Sequence, residues 1–417
     1  FSYYYISSIY LDFVFNFLTI YKMETNDVCS KYPTDEFVPT SLLREKIRKY
    51  SQQHREKLRA NKMDAVRFGL GEMQAKVEFL HNLTEKDVSG LAARIKRRKH
   101  ATVEDMYRLC HAFLLGIENI RVFAKITGAI NCFVYFILKQ HLFLGNDSEH
   151  ELAASECLCN LSLGEIPVCE KIATMAGSYF VTYLDAKDEH LKRTSLWTLA
   201  NILTTEGKPA QMLMQMELVP KLWNLYTAVD SGGNAETSED AAICLQIISR
   251  QAKQLLRTQD LSFIVENIET KNPTCAGAEY HLQIIFNTDI VRPNNILSQE
   301  KLIYLINFCL RNLTLHTCNM QDTARRLRLI YAVRVCSNLI STQPMALNTL
   351  HLQMATIWQT NLVQIFNELF AIPSAIITKE TFWFLQTLIS QENLTSSLQY
   401  DILIDKLRIP QANVTEV

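Results

Sequence analysis

The sequence predicts an all-α chain of stacked helical repeats, and three observations carry that prediction. Ala153–Ser162, Thr194–Leu203, Val333–Ile340 and Glu380–Ser390 share one pattern, an apolar helical run with a polar residue, usually Asn, near its end. Two of these asparagines, Asn160 and Asn201, stand 41 positions apart. The composition agrees: 48% of 417 residues are hydrophobic, with only 12 Gly and 10 Pro. Such a chain suits helices and disfavours β-sandwiches and enzymes built on glycine-rich loops.

A period of about 40–47 residues is that of HEAT and armadillo repeats. One repeat cannot bury its apolar face alone, so neighbours stack into a right-handed superhelical solenoid with a continuous core and a concave inner surface. The expected organisation has three parts: residues 1–22, residues 23–100, and a solenoid over 101–417.

The first part, Phe1–Tyr21, is apolar and aromatic and carries Asp12 in its middle. A plausible start, Met23-Glu-Thr-Asn-Asp, follows it directly. The expectation is an extension ahead of the true start, with a membrane anchor as the alternative.

The second part is basic. From Arg44 to Lys99 there are sixteen Lys/Arg against seven Asp/Glu, although the whole chain carries −1. A basic segment therefore precedes an acidic body. Within it, Arg44, Lys46, Arg48, Lys49, Arg55, Lys57, Arg59 and Lys62 lie in a run of good helix formers without Gly or Pro. The bland reading is a solvated helix; the sharper one is a helix recognised by an acidic partner or by the chain's own body. The cluster Arg94–His100 reads as a continuation of this basic region, and short basic clusters match localisation signals often by chance.

In the third part a second-helix signature recurs around Phe133, Phe180, Leu222, Phe263 and Leu305, at spacings of 47, 42, 41 and 42. Gly128-Ala129 and Ala176-Gly177 precede two of these helices, where a tight turn wants small residues. Polar stretches at Asn146–Glu151, Asp185–His190 and Ser231–Glu239 lead into longer third helices. Those are predicted at Glu151–Leu163, Leu191–Leu203, Asp240–Gln251, Gly277–Phe286, Thr323–Ile340 and Thr378–Ser390. The step from Leu282 to Cys336 is 54, which predicts a loop insertion at Asn312–Asn319.

Eleven cysteines form no C-x-x-C pair and scatter over apolar helix faces, as in a reducing cytoplasmic or nuclear compartment. Six N-x-S/T sequons, among them Asn160 inside a repeat helix, read as chance matches. No phosphate loop, zinc-binding motif or nucleophile elbow occurs, so neither an enzyme nor a metal or other cofactor is expected. The acidic body disfavours nucleic acid as a partner.

Trp197 and Asn201 are i and i+4 and share one helix face. A Trp ring offers a surface to a Lys or Arg stem, and an Asn amide offers donors and an acceptor to an extended peptide. The alternative is that Trp197 is core and Asn201 bonds a neighbouring helix. Elsewhere the pair degrades: Glu156 precedes Asn160, Arg334 precedes Asn338, Trp383 is followed by Thr387, and Ile243 and Ile247 hold both positions in one helix.

Trp197-Thr-Leu-Ala-Asn201-Ile resembles the W-A-L-x-N-I signature of importin-α, the nuclear-import adaptor. Arg44–Lys62 is loosely similar to that family's importin-β-binding helix. A basic, coiled-coil-like head followed by degenerate repeats resembles most the family of transmembrane and coiled-coil domain-containing protein 6. The resemblance implies an adaptor that binds a basic linear peptide or nuclear-localisation-signal cargo. Its groove would use Trp197 and Asn201, with Glu156, Asn160 and Trp383 as weaker contacts. The basic helix would recruit importin-β or occupy the groove itself. A protein–protein scaffold without a transport role is the alternative.

Overall fold

A computed structural model describes residues 83–390, apart from 144–147, 206, 229–232, 273, 275–276, 292–294 and 315–322, together with 406–408. The hydrophobic segment 1–22 and the basic residues Arg44–Lys62 lie outside the described residues.

Among the described residues the structure is all helical. The first described helix, α1 (Glu85–Arg98), lies within the basic second part. Val88, Leu91, Ala92 and Ile95 form a buried i, i+3, i+4, i+7 stripe beneath the basic cluster. Thr84 and Asp87 close its N-terminus with a capping box, and α1 packs on α3 (Ile117–Lys125) and α4 (Ala129–Phe143). Arg94 is bound by Asp105 at 2.5 Å, on α2 (Val103–Leu115). This part of the basic run therefore packs against the helices that follow it.

From there the chain alternates between two layers. The outer layer follows α4, α6 (Ile166–Tyr183), α9 (Leu218–Thr227), α11 (Thr258–Glu266), α13 (Gln299–Thr314) and α16 (Leu362–Phe370). The inner row is α2, α5 (Ser148–Leu161), α7 (Glu189–Leu203), α10 (Ala235–Gln251), α12 (Ala278–Asn287), α14 (Thr323–Thr342) and α17 (Ala375–Ile389), each packed on the next. Shorter helices α8 (Lys208–Met214) and α15 (Ala346–Gln353) brace neighbouring repeats. This is an all-α solenoid of the armadillo type.

The six third helices lie where the periodicity predicts them, most starting a few residues earlier. Asp188 explains one early start: its carboxylate accepts from the backbone N–H of His190 and Leu191 and opens α7 inside the polar stretch. Asn234 does the same for α10. Gly128, at φ 91°, makes the expected turn before α4. Ala176-Gly177 does not turn; α6 runs through it. An added Cβ at Gly177 would lie 3.1 Å from Leu213 Cδ2 on α8, so the small residue serves helix packing. Of the insertion predicted at Asn312–Asn319, Asn312–Thr314 belong to α13, and the rest lies outside the described residues.

The core also holds a polar knot. Lys271 is 1% exposed, its Nζ donating to the Tyr226 carbonyl at 2.7 Å and the Ser238 hydroxyl at 3.1 Å, and lying 4.3 Å from the Tyr226 ring centre. His281 sits beside it, fully buried, with its ring stacked on Phe308. The Tyr304 hydroxyl donates to the Lys271 carbonyl at 2.5 Å and so accepts from Nε2–H of His281, 3.4 Å away. Nδ1 then accepts from the Tyr226 hydroxyl at 3.1 Å. This is a satisfied neutral imidazole. Burial first, then the Lys271 charge, push its pKa down to about 3.

No single described helix is long and apolar enough to cross a membrane.

Candidate inner-face binding site

Hydrogen bonds fix the direction of the inner helices. Near their starts, the Thr237 hydroxyl of α10 donates to Glu189 of α7 at 2.6 Å. Near their ends, Asn201 of α7 reaches Cys159 and Ser162 on and just after α5, and Asn287 of α12 reaches Ser249 of α10. Start meets start and end meets end, so these helices run parallel and their N-termini share one edge.

The 41-residue step aligns their side chains. Glu149, Leu152, Glu156 and Asn160 on α5 correspond to His190, Arg193, Trp197 and Asn201 on α7. On α5 this i, i+3, i+7 stripe contains exposed or half-buried residues, whereas Ala153–Ser155 and Cys157–Ser162 are buried.

Asn201 does not carry the donor role expected of a peptide clamp. It is 5% exposed, and its Nδ2 donates to the Cys159 carbonyl at 3.3 Å and the Ser162 hydroxyl at 3.0 Å. Asn160 behaves alike, donating to the Cys110 carbonyl of α2 at 2.9 Å. Each asparagine thus staples its inner helix to the preceding one, which for Asn201 is the alternative recognised in the sequence. The physical reason is the buried side-chain amide itself, which is costly to leave without an acceptor and finds one on the preceding inner helix.

Trp197 is 2% exposed rather than open to solvent. The Arg193 guanidinium lies 5.0 Å from its ring centre, where a ligand's cation was expected. Arg193 is itself held by Glu236 and by Asp240, whose carboxylate is wholly buried 2.8 Å away. Trp383, 37% exposed on α17, keeps an accessible ring. Arg334, which precedes Asn338, is bound to Glu380 at 2.6 Å and lies over the Phe286 and Tyr331 rings. Arg193 and Asp240 were not singled out from the sequence; the signal was a cation one turn before Trp197, with its acidic partner one repeat later.

Glu156 differs from both asparagines. Its side chain reaches the surface in part, yet Oε1 is sealed from solvent and accepts no hydrogen bond. Burial alone pushes its pKa up to about 7. Nearby, Glu189 at the start of α7 is driven the other way. Burial opposes its charge, but hydrogen bonds from Lys192 and Thr237 and the charges of Lys192 and Arg193 outweigh that and lower its pKa.

Acidic residues recur along the shared edge: Glu149 and Glu151 on α5, Glu189 on α7, Glu236 and Glu239 on α10, and Glu279 on α12. Helix N-termini favour such residues. Within this row Lys192 pairs with Glu189 and Arg193 with Glu236.

No family model and no curated protein matches this sequence. Solved structures do. An engineered protein aligns over 73% of this chain and 68% of its own, at TM-score 0.54 and 17% identity. A structure from work on a phosphorylation switch controlling the interaction between cadherin and beta-catenin aligns over 72% of this chain and 53% of its own, at TM-score 0.52 and 11% identity. A designed armadillo repeat protein aligns over 72% of this chain and 99% of its own, at TM-score 0.38 and 13% identity. At such identities the likeness is one of fold.

Proposed function

We propose that this chain is a binding scaffold that takes a basic linear segment along the acidic edge of its inner helices, as an importin-α-like adaptor would. The observation that carries this reading is the parallel inner row, which aligns Glu149, Glu151, Glu189, Glu236, Glu239 and Glu279. An extended basic peptide can pair with carboxylates spaced along such a row without a deep pocket, competing with Lys192 at Glu189 and with Arg193 at Glu236.

Full-length chain titrated with a fluorescent Lys/Arg peptide should bind it, more weakly as salt rises, and should ignore an acidic peptide. Reversing two edge charges together, Glu149→Lys with Glu279→Lys, should weaken binding roughly tenfold, at about 1 kcal/mol or less per exposed pair. Unchanged affinity in the double variant would sink the reading.

A role in nuclear import is the narrower form. It requires importin-β to bind residues 44–62, and a direct binding assay between the two decides it. A scaffold without a transport role is favoured by one specific observation: the donors of Asn160 and Asn201 are spent within the fold.

A further inference from the structure

On the α5 stripe, Glu156 carries a carboxylate oxygen that the fold seals without a hydrogen bond. Asn160 and Asn201 are stapled, and Arg193 is held by Glu236 and Asp240. Glu156 Oε1 has no donor. A buried carboxylate without a partner costs free energy and persists only where something else recovers it. The residue as a whole is half-buried, so a ligand group can approach it.

We infer that Glu156 is a subsite for one cationic side chain of the bound basic segment, and that filling it expels a proton. This rests on the binding reading above and deepens it. Empty, the site is largely a neutral acid near and below neutral pH, because burial raises its pKa to about 7. A Lys or Arg head pairs with the carboxylate and not with the acid, so the O–H proton leaves to solvent as the ion pair forms.

The surroundings do not supply a competing titration at that carboxyl. Tyr107 and Cys110 on α2 and Cys159 on α5 lie close, and burial first raises the pKa of Tyr107 and pushes that of Cys159 up to about 12. Cys110 is raised too, by its hydrogen bond with Cys157 and by burial. All three stay protonated and neutral across the range in question. Helix α4 meets α5 through Phe136, stacked on His150. On α7 the same register carries Trp197, with Arg193 and His190 earlier on the helix. The two histidines are unchanged in the test variants, so their effect cancels in the comparison.

The test is calorimetric titration of the full chain with the Lys/Arg peptide, at pH 6.0 and 7.5, in buffers of different ionisation enthalpy. Wild type should bind close to tenfold more tightly at pH 7.5 and release most of one proton per peptide at pH 6.0. Glu156→Gln should bind more weakly at pH 7.5, with both the proton release and that affinity step gone. Glu156→Asp, which retracts the carboxylate by one methylene, should bind more weakly yet keep proton release, and it stands in should the Gln variant not fold. Equal affinity and proton release in wild type and Glu156→Gln overturn this inference alone. No binding by wild type at either pH overturns the binding reading, and this inference with it.

Discussion

Two buried ionisable groups pull the stability of this chain in opposite directions on acidification. His281 is neutral and fully hydrogen-bonded when folded, with its pKa lowered to about 3, against 6.5 when exposed. The unfolded chain therefore takes up a proton below pH 6.5 that the folded chain refuses, and the stability His281 contributes is lost as pH falls through that value. From pH 7.5 to 5.0 the loss is about 2 kcal/mol. Glu156 works the other way. Its folded pKa is raised to about 7 from 4.5, so the folded chain holds a proton that the unfolded chain releases across that window. Acidification relieves the burial of its charge and returns about 2 kcal/mol over the same interval. The two nearly cancel in wild type and separate in single variants. Relative to wild type, His281→Gln should gain about 2 kcal/mol between pH 7.5 and 5.0, and Glu156→Gln should lose about as much. Urea unfolding followed by circular dichroism at both pH values measures this, with each variant compared with wild type at the same pH so that common carboxylate effects drop out. Parallel pH profiles for wild type and both variants would refute the reasoning.

Arg193→Met should destabilise by roughly 3–5 kcal/mol, because it leaves the wholly buried Asp240 carboxylate without its cation; additional removal of the acid in Asp240→Asn should recover part of that loss in the same unfolding assay. Asn201→Ala should cost about 1–3 kcal/mol by stripping the Cys159 carbonyl and Ser162 hydroxyl of a donor. Hydrogen exchange should then rise at the ends of α5 and α7 more than elsewhere.

The repeat was legible because stacked helices recur on a fixed period, and Phe133, Phe180 and Leu222 keep their places on it. The caps were legible in part: Asp188 and Asn234 stood within the predicted polar stretches, but where a helix starts depends on which side chain turns back to the backbone. Helix α1 was obscured because four buried apolar residues sit among Lys and Arg, and charge masks a narrow stripe. The inner face was the hardest to read. Trp197 and Asn201 share a helix face, as the spacing requires, but whether that face meets water or another helix depends on Arg193, Glu236, Asp240 and Ser162. Those partners come from neighbouring repeats, and no local pattern announces them. The same holds for the knot of Lys271, Tyr226 and His281, whose members are 45 and 55 positions apart.

The asparagine staples bear on how this stack could be re-engineered. Asn160 fits a carbonyl beside the Cys110 thiol, whereas Asn201 fits a carbonyl beside the Ser162 hydroxyl, and α10 carries Ile243 and Ile247 where a staple would stand. Each junction is keyed differently. Duplicating or shuffling repeats would set an amide against an isoleucine or a thiol against the wrong donor. The period makes the repeats look like interchangeable modules, yet every seam admits only its own neighbour.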